Sequence, residues 1–158
     1  MNMYEGFLPI STTEDTILIV GSMPSETSIA KGEYYGHRSN DFWPIIAKIW
    51  DVSFDSYADK VSTLHTRRVA LWDVFATCTR ERSKDSSIKN GEINNFSQFF
   101  IDHPHIRKVI ANGKLAHRYF VSIAENELGI PCYYAPSTSR AYPMSLDKKV
   151  ALWEPLLS

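Results

Sequence analysis

Short apolar runs alternate along the chain with segments of helical periodicity, and this alternation constrains the fold more than any other feature. Four runs predict strands: Ile17–Val20, Val69–Trp72, Val109–Ala111 and Cys132–Tyr134. The first run contains no polar residue, which is typical of a strand buried on both faces of a parallel sheet. Strands that alternate with helices predict an α/β fold, a three-layer α/β/α sandwich with a central four-stranded parallel sheet. The 158 residues fit a single domain, residues 1–158.

Helical segments fill the intervals between the predicted strands. We place them near Pro24–Ala30, Asp41–Trp50, Asp55–Thr66, Ile93–Phe100, Leu115–Ile123 and Ser145–Leu157. Ser39 or Asn40 is the expected cap of the second helix and Ser145 that of the last, because short polar side chains accept hydrogen bonds from the first helical amides. Residues 76–91 are polar and are predicted to form a long loop of the kind that often carries function.

The composition excludes several classes of protein. Two cysteines cannot supply a disulfide framework or, by themselves, a four-ligand zinc site. No apolar run approaches the ~20 residues that span a bilayer, and the acidic N-terminal segment lacks the basic start of a secretory signal, so we expect a cytoplasmic protein without membrane contact. A net charge of −1 argues against bulk electrostatic coating of nucleic acid, although the net positive second half is compatible with a local basic face.

Ligands of parallel sheets bind beyond the carboxyl ends of the strands. The segments that leave those ends are Gly21–Asn40, Asp73–Ile88, Asn112-Gly113 and Ala135–Tyr142. Gly21–Ser25 could present helix amides to an anion, or it could be an ordinary strand-to-helix turn. Tyr34–Trp43 places basic and amide side chains between aromatic pairs, a pattern that suits a planar ligand but also a surface loop. Pro136–Pro143 offers hydroxyl groups and the Arg140 guanidinium to a phosphate, or it is simply a polar loop.

Several widespread catalytic motifs are absent from the sequence. There is no Gly-x-Ser-x-Gly elbow, no His-Glu-x-x-His or Cys-x-x-Cys pair, and no glycine-rich nucleotide-binding loop. Ser137 therefore has no visible reason to act as a nucleophile. Asp73, at the end of the second strand, could contact a ligand or cap the turn that follows.

Six motifs follow one another in order at the predicted strand ends. They are Gly21-Ser22-Met23-Pro24, Gly32-x-Tyr34-Tyr35-Gly36-His37-x-x-Asn40-x-Phe42-Trp43, Leu71-Trp72-Asp73-Val74, Asp85-Ser86-Ser87-Ile88, Asn112-Gly113-Lys114 and Pro136-Ser137-Thr138-Ser139. Together they resemble the uracil-DNA glycosylase superfamily, and most closely its hypoxanthine-DNA glycosylase branch. The resemblance extends from about residue 7 to residue 156.

This resemblance implies excision of a deaminated base, most of all hypoxanthine, from duplex DNA. Asn40 falls on the catalytic asparagine of the family, and Tyr35 on an aromatic residue that stacks on the extruded base. The base pocket would be completed by Ser22, Met23, Asp73 and Asn112. The DNA would be contacted by His37, Ser137, Thr138, Ser139, Arg140 and Tyr142.

The implied chemistry is monofunctional hydrolysis of the N-glycosidic bond, with neither metal nor organic cofactor, by a monomer that meets DNA at the cytoplasmic nucleoid. The Asn40 amide cannot take up a proton at neutral pH and can only orient water through its carbonyl oxygen. Asp41 is the local rival for activation of water. Successive side chains at a helix start point about 100° apart, so both cannot face one pocket.

Departures from the family pattern leave alternatives open. Arg38 stands where proline is common, Arg140-Ala141-Tyr142 replaces Pro-Ala-Asn, and Met23 occupies the position at which uracil-excising relatives keep Asn or Asp. Excision of uracil, xanthine or mismatched bases is one alternative, and a catalytically silent DNA-binding protein of the same fold is another. A third is an enzyme that cleaves free nucleosides or nucleotides.

Overall fold

In the part of the chain that the structure describes, four strands pair in parallel and three more form a separate antiparallel sheet. The computed structural model describes residues 2–84 and 87–158. Its strands are β1 (Asn2–Glu5), β2 (Ile17–Gly21), β3 (Val69–Asp73), β4 (Phe75–Arg80), β5 (Lys89–Ile93), β6 (Lys108–Asn112) and β7 (Cys132–Ala135). The parallel sheet has the order β3-β2-β6-β7, which confirms the predicted four-stranded α/β architecture.

The helices connect and cover this sheet. They are α1 (Glu26–Lys31), α2 (Phe42–Trp50), α3 (Tyr57–Arg67), α4 (Phe96–Asp102), α5 (Lys114–Ile123) and α6 (Leu146–Trp153), with a π-helical turn at Ala124–Leu128 and a 3₁₀ turn at Glu154–Leu157. The predicted cap Ser145 is confirmed, because its side chain accepts a hydrogen bond from the Lys148 amide. Within the two described ranges, every helix is too short or too polar to cross a membrane.

Both faces of the parallel sheet are buried, as the apolar strand runs predicted. Along β2, Leu18 and Val20 point into one hydrophobic cluster, whereas Ile17 and Ile19 point into a second. The first cluster contains apolar residues of α4 and α5, and the second contains those of α2, α3 and α6. Each fully buried Leu, Ile or Val side chain contributes about 1.5–3 kcal/mol, so this strand is the energetic centre of a three-layer sandwich.

The prediction of a long loop over residues 76–91 is wrong. Strand β4 pairs antiparallel with both β1 and β5, and all three strands form the second sheet. In β4, Cys78 and Arg80 are buried while Thr77 and Thr79 are half-exposed, an alternation that the polarity of the segment conceals. Threonine favours strands through its branched side chain, and this propensity outweighs its polarity here.

Two helix starts also differ from the predictions. Ile93 belongs to β5 and pairs with Phe75, so α4 begins later, after the Asn95 cap. Asp41, rather than Ser39 or Asn40, occupies the cap position of α2, yet its side chain makes no capping bond. The Asn40 side chain performs part of that function, because its Oδ1 accepts a hydrogen bond from the Phe42 amide at 2.9 Å.

Candidate functional site

An open cleft of about 890 Å³ lies at the carboxyl end of the parallel sheet. Gly21, Asp73 and Asn112, the last residues of three adjacent strands, all line it. The predicted site residues that also line it are Ser22, Met23, Tyr35, His37, Asn40, Ser137, Thr138, Ser139 and Arg140. Segments more than 90 residues apart in the chain therefore meet in one concave surface, where the sheet topology predicts a ligand.

An aromatic ring and a carboxyl group approach each other over Gly21. The Tyr35 ring stacks on Phe42, with 4.1 Å between ring centroids and 19° between planes. A Cβ atom on Gly21 would lie 2.6 Å from Asp73 Oδ1 and 3.2 Å from Tyr35 Oη, so only glycine lets both side chains come this close. Tyr35 itself has a φ of 53°, a conformation that is unfavourable for a bulky residue and is often found at functional sites.

Asn40 is held by hydrogen bonds on both its backbone and its side chain. Its amide nitrogen donates to His37 O at 2.9 Å, while its Oδ1 accepts from Phe42. A carbonyl oxygen has two acceptor sites, so the fixed side chain retains one for a further donor such as water. His37 is exposed, and its Nδ1 accepts from the Ser39 amide at 3.1 Å, which leaves the Nε2 edge of the ring for an external partner.

Asn112 holds the segment that follows the last strand. Its Nδ2 donates to Thr138 Oγ1 and its Oδ1 accepts from the Thr138 amide, both at 3.0 Å. The Ser137 and Ser139 hydroxyls accept from the amides of Ser139 and Ala141, each at 3.2 Å. These bonds show how Ser137–Ser139 keeps its shape; the reading of a base edge by Asn112 stays a prediction.

A buried ion network joins the two sides of the cleft. Asp41 is only 2% exposed, and its carboxylate accepts from Arg140 Nε at 2.6 Å and from Lys149 Nζ at 3.1 Å. Lys149 is fully buried and also donates to Ser139 O at 3.0 Å. The Asp41 amide donates to Thr138 O at 2.8 Å. The segment that begins α2 and the segment that follows β7 are thus fastened together by charge-assisted and backbone hydrogen bonds.

The position of Asp41 argues against its predicted alternative role in activating water. Its carboxylate is engaged by two cations, and the residue does not belong to the lining of the cleft. Asn40 and Asp41 therefore face different surroundings, which favours Asn40 over Asp41 as the residue that orients water.

Lys149 was not among the predicted site residues. The sequence feature that could have identified it is its place in α6, where it shares the inward face with Leu146 and Trp153 at helical spacing. A lysine on such a face is buried only when it is paired, so it indicated a partner carboxylate.

Tyr142 is the predicted DNA-contacting residue that the structure does not bring to the cleft. It is half-buried, and Lys149 Nζ lies 5.9 Å from its ring centroid. Burial, followed by a hydrogen bond with Tyr142, raises the pKa of Tyr134, so the two hydroxyl groups are partners. Tyr142 therefore lies against Tyr134 and Lys149, whereas Arg140 and Ala141 line the cleft.

Two backbone amides in the first turn of α1 donate hydrogen bonds to serine side chains of the protein. The Glu26 amide donates to Ser83 Oγ at 2.8 Å, and the Ser28 amide donates to Ser25 Oγ at 3.1 Å. Two of the first amides of α1 are therefore engaged within the protein, which favours the alternative of an ordinary strand-to-helix turn over an anion site at the helix start. Ser83 and its neighbour Arg82 line the cleft, and both were missed because their hairpin was interpreted as a loop.

The motif at Asp85–Ile88 is only partly described. Asp85 and Ser86 lie outside the described residues, whereas the Ser87 hydroxyl accepts from the Glu81 amide at 2.8 Å. Across the part of the chain that the structure covers, no group of three or more His, Cys, Asp and Glu side chains is arranged to hold a metal ion.

The Asp41 network predicts a loss of stability in acid. Burial alone would raise the pKa of Asp41, but the hydrogen bonds from Arg140 and Lys149 outweigh it and lower the pKa below its usual value. A depressed carboxyl pKa stabilises the fold above the unfolded-state pKa of about 3.9 and ceases to do so as the pH falls through the folded-state value. Melting temperatures of wild type and Asp41→Asn should therefore differ at pH 6 and converge towards pH 2. A difference that stays constant over this range would contradict the assignment.

Comparisons with known proteins agree with this geometry. The model of the uracil DNA glycosylase superfamily matches residues 9–157. Two curated relatives are named hypoxanthine DNA glycosylase: one from Methanosarcina barkeri is 38% identical and one from Methanosarcina acetivorans 35%, each over 94% of both chains. A candidate uracil DNA glycosylase from Methanosarcina acetivorans, solved by NMR in solution, superposes with a TM-score of 0.84 at 32% identity, covering 99% of this chain and 100% of that one. The match over nearly the whole chain, with the shared fold, shows that this protein belongs to the uracil DNA glycosylase superfamily.

Proposed function

We propose that this protein is a monofunctional DNA glycosylase that hydrolyses the N-glycosidic bond of deaminated bases in duplex DNA, with hypoxanthine as its main substrate. The observation that carries the proposal is the convergence of Tyr35, Asn40 and Ser137–Ser139 on one cleft. The relatives named hypoxanthine DNA glycosylase support the choice of base. On this proposal the protein acts as a monomer in the cytoplasm, where it meets the nucleoid, and needs neither metal nor organic cofactor.

The cleft suits a nucleotide that has been rotated out of the helix. A base inside a duplex cannot be reached by a glycosylase, and extrusion costs a few kcal/mol, least for a mispaired base. Because Phe42 covers one face of the Tyr35 ring, the other face is the one on which the extruded purine would stack. Such stacking contributes roughly 1–3 kcal/mol and would offset much of the cost of extrusion.

Hydrolysis then requires a positioned water molecule and stabilisation of separated charge. Asn40 would orient the water through the acceptor site of Oδ1 that Phe42 does not use. Since an amide takes up no proton at neutral pH, the base must depart early and the sugar acquires oxocarbenium character. DNA phosphates stabilise the cationic sugar, and donors aimed at the departing base stabilise its negative charge.

Met23 supports the preference against uracil. Its side chain is almost fully buried at the cleft wall. The family resemblance implies that this position holds Asn or Asp in uracil-excising relatives. A thioether accepts hydrogen bonds only weakly and donates none. The polar contacts that an amide or carboxylate would make with uracil are therefore missing from this position.

A panel of labelled duplexes tests the proposal. Each contains one deoxyinosine, deoxyuridine or deoxyxanthosine and is treated with alkali after incubation, so that every abasic site becomes a strand break. We expect breaks mainly in the deoxyinosine duplex, and none before alkali.

The same panel separates the alternatives. If strand breaks occur mainly in the deoxyuridine duplex, uracil rather than hypoxanthine is the main substrate. Binding of the lesion duplex without any break would indicate a catalytically silent protein. Turnover of free inosine, equal to that of the duplex, would indicate a nucleoside hydrolase.

A further inference from the structure

We propose that Arg82, in the loop between β4 and β5, is a second contact to the DNA phosphate backbone, on a different cleft wall from Arg140. This inference rests on the proposed function and adds an interaction surface to it. Arg82 lies in the loop that joins β4 (Phe75–Arg80) to β5 (Lys89–Ile93), outside the two segments that the family resemblance assigns to DNA. It lines the same cleft as those segments.

A buried cation fixes the position of the hairpin. Arg80 is fully buried, and its Nε donates to Arg82 O at 2.6 Å while its Nη2 donates to Pro24 O. Its guanidinium also lies 5.0 Å from the centroid of the Tyr4 ring, within the range of a cation–π interaction. Arg80 thus links the backbone of Arg82 to the loop that leaves β2.

A hydrogen bond between Ser83 and Glu26 connects the loop between β4 and β5 to the start of α1. Ser83 Oγ occupies the Glu26 amide, which the helix start would otherwise offer to an anion. The Glu26 amide is therefore not available to a phosphate at this part of the cleft, where an exposed cationic side chain could bind one instead. Arg82 precedes Ser83, is exposed and lines this part of the cleft.

The charges of the cleft suit a polyanion. Among the described residues that line it, Lys31, Arg82 and Arg140 are cationic and exposed, whereas Glu26 is the exposed carboxylate and Asp73 is buried. Arg140 uses Nε to bind Asp41, yet its side chain is 63% exposed, so its outer nitrogens can reach solvent. Arg82 forms no ion pair with any residue that the structure describes. A planar guanidinium binds phosphate in two parallel hydrogen bonds, and two of them on separate walls would grip the backbone at two points.

The salt dependence of DNA binding tests this proposal. Each phosphate contact contributes about 0.9 to the slope of log affinity against log salt concentration. For Arg82→Gln we expect a slope shallower by about 0.9 between 50 and 200 mM salt. We also expect a several-fold higher half-saturating enzyme concentration on deoxyinosine duplex. The single-turnover rate at saturating enzyme should not change. Arg82→Lys should keep most of the slope.

Arg107→Gln is the matched control, because Arg107 is exposed and lies away from the cleft. If Arg82→Gln and Arg107→Gln give the same slope, the proposal is wrong. Arg82 has a φ of 53°, so Arg82→Asn, which tolerates this conformation, replaces the Gln variant if the latter melts early. Failure of the Arg82 proposal differs from failure of the proposed function. If the proposed function is wrong, wild type releases no base at any salt concentration. If only the role of Arg82 is wrong, wild type still releases the base.

Discussion

Asn40→Ala is expected to lower the single-turnover rate of hypoxanthine release by about 10²-fold or more, with little change in duplex affinity. Loss of a group that positions a reactant typically costs this much, because the water is no longer held in line with the breaking bond. The rate at saturating enzyme, measured on a deoxyinosine duplex, reports this step directly.

Control variants separate this effect from the cap that Asn40 provides to α2. Asn40→Ser keeps an oxygen that can accept from the Phe42 amide but lacks the reach and shape of the amide group, so it should be as slow as Asn40→Ala. The assignment would be overturned if Asn40→Ala cleaves at nearly the normal rate while Asp41→Ala does not.

Lys149→Met is expected to lower the free energy of unfolding by about 3 kcal/mol, the lower end of the range for breaking a buried ion pair. The reason is that Asp41 remains buried with only the partly exposed Arg140 as its cationic partner, and Ser139 O loses its donor. For a chain of this size the melting temperature should fall by about 6–12 °C. Thermal unfolding monitored by circular dichroism measures this shift.

Lys148→Met is the control, since Lys148 precedes Lys149 in α6 and is exposed. Its melting temperature should stay within about 1–2 °C of wild type, as exposed substitutions usually do. The double variant Asp41→Asn with Lys149→Met should recover part of the loss, because no unpaired charge is then buried. Equal melting temperatures for the two lysine variants would show that the buried pair does not stabilise the fold.

The strands of the parallel sheet could be predicted because each is a short, nearly continuous apolar run. Ile17–Val20 is the clearest case, since every residue of it is buried on one face or the other. The location of the cleft followed from the sheet, because parallel strands bring their carboxyl ends to one edge. Local pattern and topology were therefore sufficient to bring Tyr35, Asn40 and Ser137 into one neighbourhood.

The details of the site depended on contacts that spacing along the chain does not encode. The bond between Asp41 and Lys149 joins residues 108 positions apart, and that between Asn112 and Thr138 joins residues 26 apart. The hairpin that carries Arg82 has polar strands, so its pairing depends on cross-strand contacts rather than on apolar periodicity. Tertiary contacts of this kind determine which predicted residues line the cleft and which, like Tyr142, do not.

In the proposed function, this cleft receives an extruded purine and releases it as the free base. The most direct measurement is chromatography of the small molecules formed when wild-type protein is incubated, in excess, with a duplex that holds a single deoxyinosine. We predict free hypoxanthine in an amount equal to the abasic sites that alkali reveals in the same sample. Intact duplex with no free hypoxanthine, at enzyme concentrations that saturate binding, would show that the protein does not excise hypoxanthine.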